Sequence, residues 1–227
     1  MQLWNVDFRS ELEAVLPSDL PNRADVVEKT ALHLERIEET NKLFNLTRIV
    51  SPRDAAIKHV LDALIPWRLF VGAKHLLDAG TGAGFPGIPL AIALPDLRIT
   101  MAESTGKKAR FVADTIAALG LANASVSAER VEDLTKAVRF DLVTARAFAP
   151  MGRALEFLAP ALKSGARGLL YKGPDIEQEI AEAAPQMKKL RATAVEVMRY
   201  DLPDSMGSRR IVEVRLSAPT SAVRIKA

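Results

Sequence analysis

The sequence contains no cysteine, only three histidines and few aromatic side chains, and each scarcity excludes some chemistry. Without cysteine, the chain has no disulfide bond, no thiolate nucleophile and no cysteine-based zinc site. The imidazoles of His33, His59 and His75 lack the short helical spacing of a metal-binding pair. We interpret each of them as a surface or helix-end histidine, and we expect no metal site.

Long apolar runs are also missing. No stretch approaches the ~20 uninterrupted apolar residues that a membrane span needs. Residues 1–10 include Asp7 and Arg9 and no long apolar segment, so we expect a cytoplasmic protein without a secretory signal. The net charge of +3 and the pI of about 9.2 permit a phosphate-rich partner but do not by themselves indicate one.

The first third of the chain has a helical pattern. Apolar residues recur at steps of three and four between residues 22 and 44, which predicts an amphipathic helix. A second helix is predicted after Ser51 and Pro52, which suit an N-cap and a first helical residue, and it should end at Pro66. We expect residues 1–70 to form an N-terminal helical extension.

From residue 71 to residue 227 the pattern changes to alternating strands and helices. The expected strands cover residues 75–79, 97–101, 124–128, 140–145, 168–171, 193–200 and 209–216, and the expected helices cover 86–94, 105–119, 150–162 and 175–184. Such alternation predicts an α/β fold with a mainly parallel seven-stranded sheet. The last two strands have no helix between them, so they should pair antiparallel, and the residues after Ser217 should form a tail.

The most informative segment is the glycine-rich turn at residues 78–87, Asp-Ala-Gly-Thr-Gly-Ala-Gly-Phe-Pro-Gly. A strand that turns sharply into a helix needs residues without Cβ, so that the backbone can bend and a ligand can approach. The motif alone is weak evidence, because enzymes that bind dinucleotides share it.

The surroundings of this turn favour one ligand class. Asp78 ends the first strand, where the acid of an S-adenosylmethionine-dependent methyltransferase orients the methionine end of the cofactor, and Gly80 and Gly82 leave room for it. Glu103 ends the second strand and can accept hydrogen bonds from ribose hydroxyls. Both ligand classes use such an acid. The antiparallel pair that closes the chain favours a Rossmann-like methyltransferase over a dinucleotide enzyme.

Several short patterns occur in one order along the chain. They are Asn45-Leu46-Thr47, Lys58-His59-Val60-Leu61-Asp62, residues 78–89, residues 106–111, Arg130-Val131-Glu132-Asp133, residues 145–149 and Tyr171-Lys172-Gly173. Together they resemble the RsmG family, also called GidB, of bacterial 16S ribosomal RNA guanine-N7 methyltransferases. The resemblance covers more than half of the chain. Glu103 stands where an aspartate is common, and the first forty residues match weakly.

The resemblance implies S-adenosyl-L-methionine as the cofactor and 16S ribosomal RNA, or the small ribosomal subunit, as the partner. It places Gly80 and Phe85 in the wall of the cofactor pocket and Val131 and Glu132 beside the adenine. Arg146 would face the cofactor and the incoming base, which makes it a candidate catalytic residue. Arg130 and Lys172 would lie near the same rim as further catalytic candidates.

Guanine N7 carries an unshared electron pair, so its methylation needs no general base and mainly requires alignment. We assign Arg146 to contacts with O6 or a phosphate, because its planar fork suits such acceptors. Asp62 follows Lys58 by four residues and is interpreted as its intrahelical ion-pair partner.

Two alternatives stay open at this point. A methyltransferase with the same core acting on a small molecule or a protein would bind the cofactor and ignore RNA. A non-enzymatic or dinucleotide-binding module would not bind the cofactor. We expect a monomer, because the sequence indicates no large exposed apolar seam.

Overall fold

The computed structural model of the chain describes residues 7–49 and 51–217. The expectations for the first residues of the chain and for the tail beyond Ser217 lie outside these ranges. Within the described ranges, no helix is both long and apolar enough to cross a membrane.

The structure consists of N-terminal helices followed by an α/β sheet domain. The helices are α1 (Phe8–Val15), α2 (Arg23–Asn41), α3 (Pro52–Ala55), α4 (Asp62–Leu64), α5 (Gly87–Ala93), α6 (Gly106–Ala118), α7 (Val131–Ala137), α8 (Met151–Lys163), α9 (Ile176–Glu182) and α10 (Ala184–Leu190). A π-helical turn, Ala56–Leu61, joins α3 to α4, and short 3-10 turns occupy Trp67–Phe70 and Pro203–Ser205. The strands are β1 (His75–Ala79), β2 (Arg98–Ala102), β3 (Ala124–Ser127), β4 (Leu142–Arg146), β5 (Arg167–Lys172), β6 (Ala192–Asp201) and β7 (Ser208–Leu216).

The start of the second predicted helix follows from its first two residues. The hydroxyl of Ser51 accepts a hydrogen bond from the backbone N–H of Asp54 at 3.2 Å. Pro52 occupies the first turn, where its missing N–H leaves no intrahelical bond unmade. The predicted N-cap is therefore confirmed.

The seven strands form one sheet in the order β3-β2-β1-β4-β5-β7-β6. β1 pairs in parallel with β2 and β4, and β3 and β5 extend the parallel part on either side. β7 runs antiparallel to both β5 and β6. The predicted fold class, a mainly parallel seven-stranded sheet that ends in an antiparallel pair, is confirmed.

Two short helices were not predicted. α7 follows β3 directly, in the segment that was interpreted only as the adenine-binding stretch, and α10 follows α9 after a single residue. Each has seven residues, and α10 contains no fully buried residue, so it carries no apolar stripe that a helical period would reveal.

The sheet separates two groups of buried apolar side chains. Leu76 and Leu77 are neighbours in β1, yet they belong to different groups because successive side chains of a strand point to opposite faces. Leu12 and Leu34 of the N-terminal helices lie in the same group as Leu76, together with Ile88 of α5. The N-terminal helices therefore cover one face of the sheet with side chains that both layers share.

We predict that Leu34→Ala lowers the free energy of unfolding by about 2–5 kcal/mol, because the side chain is buried between α2 and the sheet layer. If residues 1–70 share one core with the sheet, thermal unfolding monitored by circular dichroism should stay a single transition. Leu32→Ala on the same helix is the matched control, since Leu32 is 46% exposed, and it should change the stability by less than about 0.5 kcal/mol. Two separate transitions, with only the first one shifted, would contradict the shared core.

Candidate active site

The turn after β1 is held close to the neighbouring strand by its own backbone. The N–H groups of Gly80 and Thr81 both donate to the carbonyl of Ala102, at 2.9 and 3.1 Å. Gly80 has a φ of +70°, and a Cβ there would collide with the ring of Phe148. A glycine is required at this position for both reasons. The turn therefore presents bare backbone at the carboxyl edge of the sheet.

Asp78 stabilises this turn from the interior of the protein. Its Oδ2 accepts hydrogen bonds from the Thr81 hydroxyl at 2.5 Å and from the N–H of Gly87 at 2.9 Å. Its Oδ1 is buried and has no hydrogen-bond partner among the described residues. Burial raises the pKa of Asp78 to about 6, although the two hydrogen bonds and Arg146 act in the opposite direction. A cationic or hydrogen-bonding ligand group would satisfy the free oxygen.

Glu103 holds the same turn from the other side and faces a cavity of about 370 Å³, here called the smaller cavity. Its carboxylate accepts from the N–H of Gly82 at 3.1 Å and from that of Thr105 at 2.8 Å. Each carboxylate oxygen keeps a lone pair for a further donor. The residues that line the smaller cavity are Gly80, Ala102, Glu103, Ser104, Glu129, Arg130, Val131, Glu132, Phe148 and Phe157.

A second cavity of about 690 Å³, here called the larger cavity, opens beside the end of β4. Four cationic side chains line it: Lys58, Arg146, Lys172 and Arg209. Phe148 lines both cavities, and its ring rests against Gly80. The two cavities therefore share the ring of Phe148, which packs against the glycine turn.

Phe85 takes a different place from the expected one and lines neither cavity. Its ring is buried between the rings of His33 and His59, with centroid distances of 4.7 and 4.6 Å. Burial between two aromatic rings removes this large apolar side chain from water, which favours the interior over a cavity wall. Phe85 therefore supports the back of the site rather than its surface.

The interpretation of the three histidines as surface or helix-end residues is wrong, since all three are buried. His33 reaches the carbonyl of Ala83 with its Nε2, and burial lowers its pKa to about 4. Burial, together with the nearby charge of Arg146, lowers the pKa of His59 to about 3. His75, at the start of β1, contacts Thr100 and Arg98. The helical period could not show this, because imidazoles are equally compatible with exposed positions.

Arg146, at the end of β4, is held by the π-helical turn. Its Nη1 donates to the carbonyl of Lys58 at 2.8 Å and to Oδ2 of Asp62 at 3.2 Å. The guanidinium also lies over the ring of Phe85, with 5.4 Å from its carbon to the ring centroid. Its side chain is 15% exposed. The guanidinium therefore borders the larger cavity, while most of one of its edges is hydrogen-bonded to the protein.

The interpretation of Asp62 as the partner of Lys58 is wrong. Lys58 donates instead to Asp54, one turn earlier, at 2.7 Å. The wider π-helical turn between Lys58 and Asp62 moves the two side chains out of the alignment that a four-residue step gives in an α-helix. Asp62 pairs with Arg146 and Arg209.

The remaining candidates divide between the two cavities. Val131 and Glu132 line the smaller cavity, where Glu103 lies. Arg130 also lines the smaller cavity, whereas Lys172 lines the larger one, so the structure does not bring them to one rim. Lys172 donates to Glu179 at 2.6 Å and to the carbonyl of Ala149 at 3.1 Å.

Arg209 was not predicted as a site residue. It comes from β7, near the end of the described chain, and it lines the larger cavity beside Arg146. Its sequence context, an Arg-Arg pair at the start of a strand, carries no motif that distinguishes it from a solvent-exposed base. Only the antiparallel pairing of β7 with β5 brings it to the site.

Within the described residues, no group of three potential ligands could hold a metal ion.

A family model described as "rRNA small subunit methyltransferase G" (GidB) matches residues 27–206, more than half of the chain. The chain belongs to this family. A relative from Solibacter usitatus named ribosomal RNA small subunit methyltransferase G is 59% identical over 92% of this chain and 99% of its own length. A GidB relative of the same name from Sorangium cellulosum is 42% identical over 77% and 76% of the two chains.

Solved structures support the fold of this GidB family member. The O-methyltransferase TomG from Streptomyces achromogenes, in complex with SAM, is similar with a TM-score of 0.55 and 20% identity over 82% of this chain and 90% of that one. An O-methyltransferase from Bacillus cereus in complex with SAH gives 0.57 and 18% identity over 90% and 94%. At these identities the likeness shows a methyltransferase fold.

We predict that the affinity for S-adenosylhomocysteine rises about tenfold between pH 5 and pH 7.5 and levels off above pH 7. The ligand's ammonium group favours ionised Asp78, and because burial raises the pKa of Asp78 to about 6, the free protein must lose a proton on binding at low pH. Isothermal titration calorimetry at several pH values measures the effect.

Asp78→Asn should bind more weakly at pH 7.5 and lose this pH dependence. Glu103→Gln is the matched control: it removes one carboxylate from the smaller cavity but leaves Asp78 in place, so the slope should persist. A flat wild-type affinity, or a slope that survives in Asp78→Asn, would remove Asp78 from the ligand's surroundings.

Proposed function

We propose that this chain transfers a methyl group from S-adenosyl-L-methionine to N7 of a guanine in 16S ribosomal RNA. The observation that carries the proposal is a pair of cavities that share the ring of Phe148 beside the glycine turn, in a chain of the GidB family. The smaller cavity has the carboxylate and the backbone that a nucleoside needs. The larger one has the cationic wall that a nucleotide of RNA needs.

The residues present fit the cofactor. Glu103 would hold the ribose hydroxyls, and Val131 and Glu132 would lie beside the adenine in the smaller cavity. Asp78 offers a buried oxygen without a partner toward the methionine end, reached across Gly80 and Gly82. When bound, S-adenosylmethionine supplies an electrophilic methyl group on a sulfonium. For the ligand to span both cavities, the ring of Phe148 must move off Gly80.

The larger cavity suits a guanine because the reaction at N7 needs no proton acceptor. N7 attacks with its own lone pair, so the protein's part is to align the base and to exclude water. The low pKa values of His33, about 4, and His59, about 3, keep both rings neutral at physiological pH, in agreement with a structural role. Arg146 and Arg209 offer planar donors to O6 or to a phosphate.

The cations at the cavity wall also suit the RNA backbone. Lys58 and Lys172 line the larger cavity together with Arg146, and Arg130 lines the smaller one. We expect the substrate to be 16S RNA, free or within the small ribosomal subunit, and the enzyme to act in the cytoplasm as a monomer. The alternative, methylation of a small molecule or a protein by the same core, is an outcome of the experiment below.

We predict that the purified chain, incubated with labelled S-adenosylmethionine and with naked 16S RNA or small subunits, produces 7-methylguanosine, detected by mass spectrometry after digestion. Arg146→Ala should lower kcat/KM for RNA by at least about 100-fold, because alignment of the base is lost. It should still bind S-adenosylhomocysteine.

Lys163→Ala is the matched control. Lys163 is an exposed cation at the far end of α8, away from the cavities, and its loss should leave the rate unchanged. A protein that binds the cofactor but modifies no RNA would refute the rRNA substrate. Normal RNA methylation by Arg146→Ala would remove Arg146 from the site.

A further inference from the structure

Asp62 lies at the point where three distant parts of the chain meet. It opens α4, and its side chain is only 3% exposed. Its carboxylate accepts from Arg146 of β4 at 3.2 Å, from Arg209 of β7 at 3.3 Å and from the hydroxyl of Tyr200 in β6 at 2.9 Å. A buried carboxylate with three donors, two of them cationic, has a fixed position in the structure, since losing a charged partner leaves buried charge incompletely compensated.

The two arginines that share Asp62 both line the larger cavity. Their like charges repel each other, and they would separate unless a negative group lay between them. Asp62 supplies that charge from within the same cavity wall, where its side chain is almost completely buried. The carboxylate therefore determines where both guanidinium groups can lie.

The π-helical turn before Asp62 completes the support for Arg146. The carbonyls of Lys58 and His59 both lie within reach of Nη1, at 2.8 and 3.4 Å. Nδ1 of His59 lies 3.5 Å from Nη2, and because a guanidinium only donates, this nitrogen acts as the acceptor. The proton of His59 then lies on Nε2, which donates to the Thr47 hydroxyl at 3.2 Å. The N-terminal helices thus reach Arg146 through one continuous chain of hydrogen bonds.

We propose that Asp62 is a positioning residue that fixes the guanidinium groups of Arg146 and Arg209 in the wall of the larger cavity, where the target base is aligned. The proposal rests on the function proposed above. It makes Arg209 a second substrate-facing residue, and it assigns Thr47 and residues 58–62 to the assembly of the substrate side of the site. Asp62 acts through the arginines and does not touch the base.

The experiment compares Asp62→Asn with wild type in the RNA methylation assay. The new amide keeps the shape but removes the negative charge that lies between the two guanidinium groups, so their repulsion is no longer offset and at least one of them should move. The expected result is a fall in kcat for RNA of about 100-fold, the size of effect that a displacement of about 1 Å produces. The affinity for S-adenosylhomocysteine should stay within about twofold, since Asp62 does not line the smaller cavity.

Tyr200→Phe is the matched control. It removes one donor from the same carboxylate but leaves both arginines in place, and Tyr200 does not line the larger cavity. Its kcat should stay within about threefold of wild type, even if its thermal stability falls. A loss of kcat in Tyr200→Phe as large as that in Asp62→Asn would show that Asp62 has only a structural role, and would overturn the proposal.

A double-mutant comparison tests whether Asp62 acts through Arg146. In the Arg146→Ala background, adding Asp62→Asn should lower kcat by no more than about tenfold, because Arg146 is already absent and only the positioning of Arg209 is still lost. A further loss of about 100-fold would mean that Asp62 acts independently of Arg146, and would overturn the proposal.

If Asp62→Asn does not fold, Arg209→Lys tests the positioning role of Asp62 instead. Lysine keeps the charge but loses the fork through which Asp62 fixes the side chain, so kcat should fall at least about tenfold. A wild-type kcat in Arg209→Lys would overturn the proposal. The outcomes remain distinct from those of the proposed function: if wild type does not methylate 16S RNA, the function fails, whereas a fully active Asp62→Asn refutes only the positioning role.

Discussion

Hydrogen bonds from two carboxylates hold the turn between β1 and α5 in place, and the rest of the site depends on these bonds. Asp78 holds the turn from the interior through Thr81 and Gly87, and Glu103 holds it from the cavity side through Gly82. Because both acids end parallel strands, the sheet itself determines their separation. A small change in the register of β1 against β2 would therefore move both carboxylates relative to the turn and disturb every contact built on it.

Both cavities depend on the position of this turn, but different segments of the chain line them. The smaller cavity is built almost entirely from segments that follow β1, β2 and β3, so it forms wherever the parallel sheet forms. The larger cavity needs the π-helical turn Ala56–Leu61, the end of β4 and the start of β7 at once. Cofactor recognition is thus a property of the sheet, whereas substrate recognition depends on the helices and the antiparallel pair closing around it.

The sequence predicts the residues of the smaller cavity well and those of the larger cavity poorly. Asp78 and Glu103 lie at the ends of strands that hydrophobic patterning locates, so their shared place at the sheet edge can be derived in advance, whereas Val131 and Glu132 were expected there from the family resemblance. The roles of Asp62 and Arg209 could not be derived, because they depend on contacts between residues 147 positions apart. The π-helical turn also removed the four-residue alignment on which the pairing of Lys58 with Asp62 was predicted. Such a turn leaves no signal in the hydrophobic period.

The ring of Phe148 couples the two cavities. It touches Gly80 and borders both cavities, so the space for one ligand cannot be filled across the turn without changing the border of the other. The loop that carries it is tied to Lys172 through the carbonyl of Ala149, and Lys172 in turn is tied to Glu179 of α9. Entry of the first ligand thus resets the shape offered to the second. Binding in one cavity is therefore coupled to binding in the other through a single side chain.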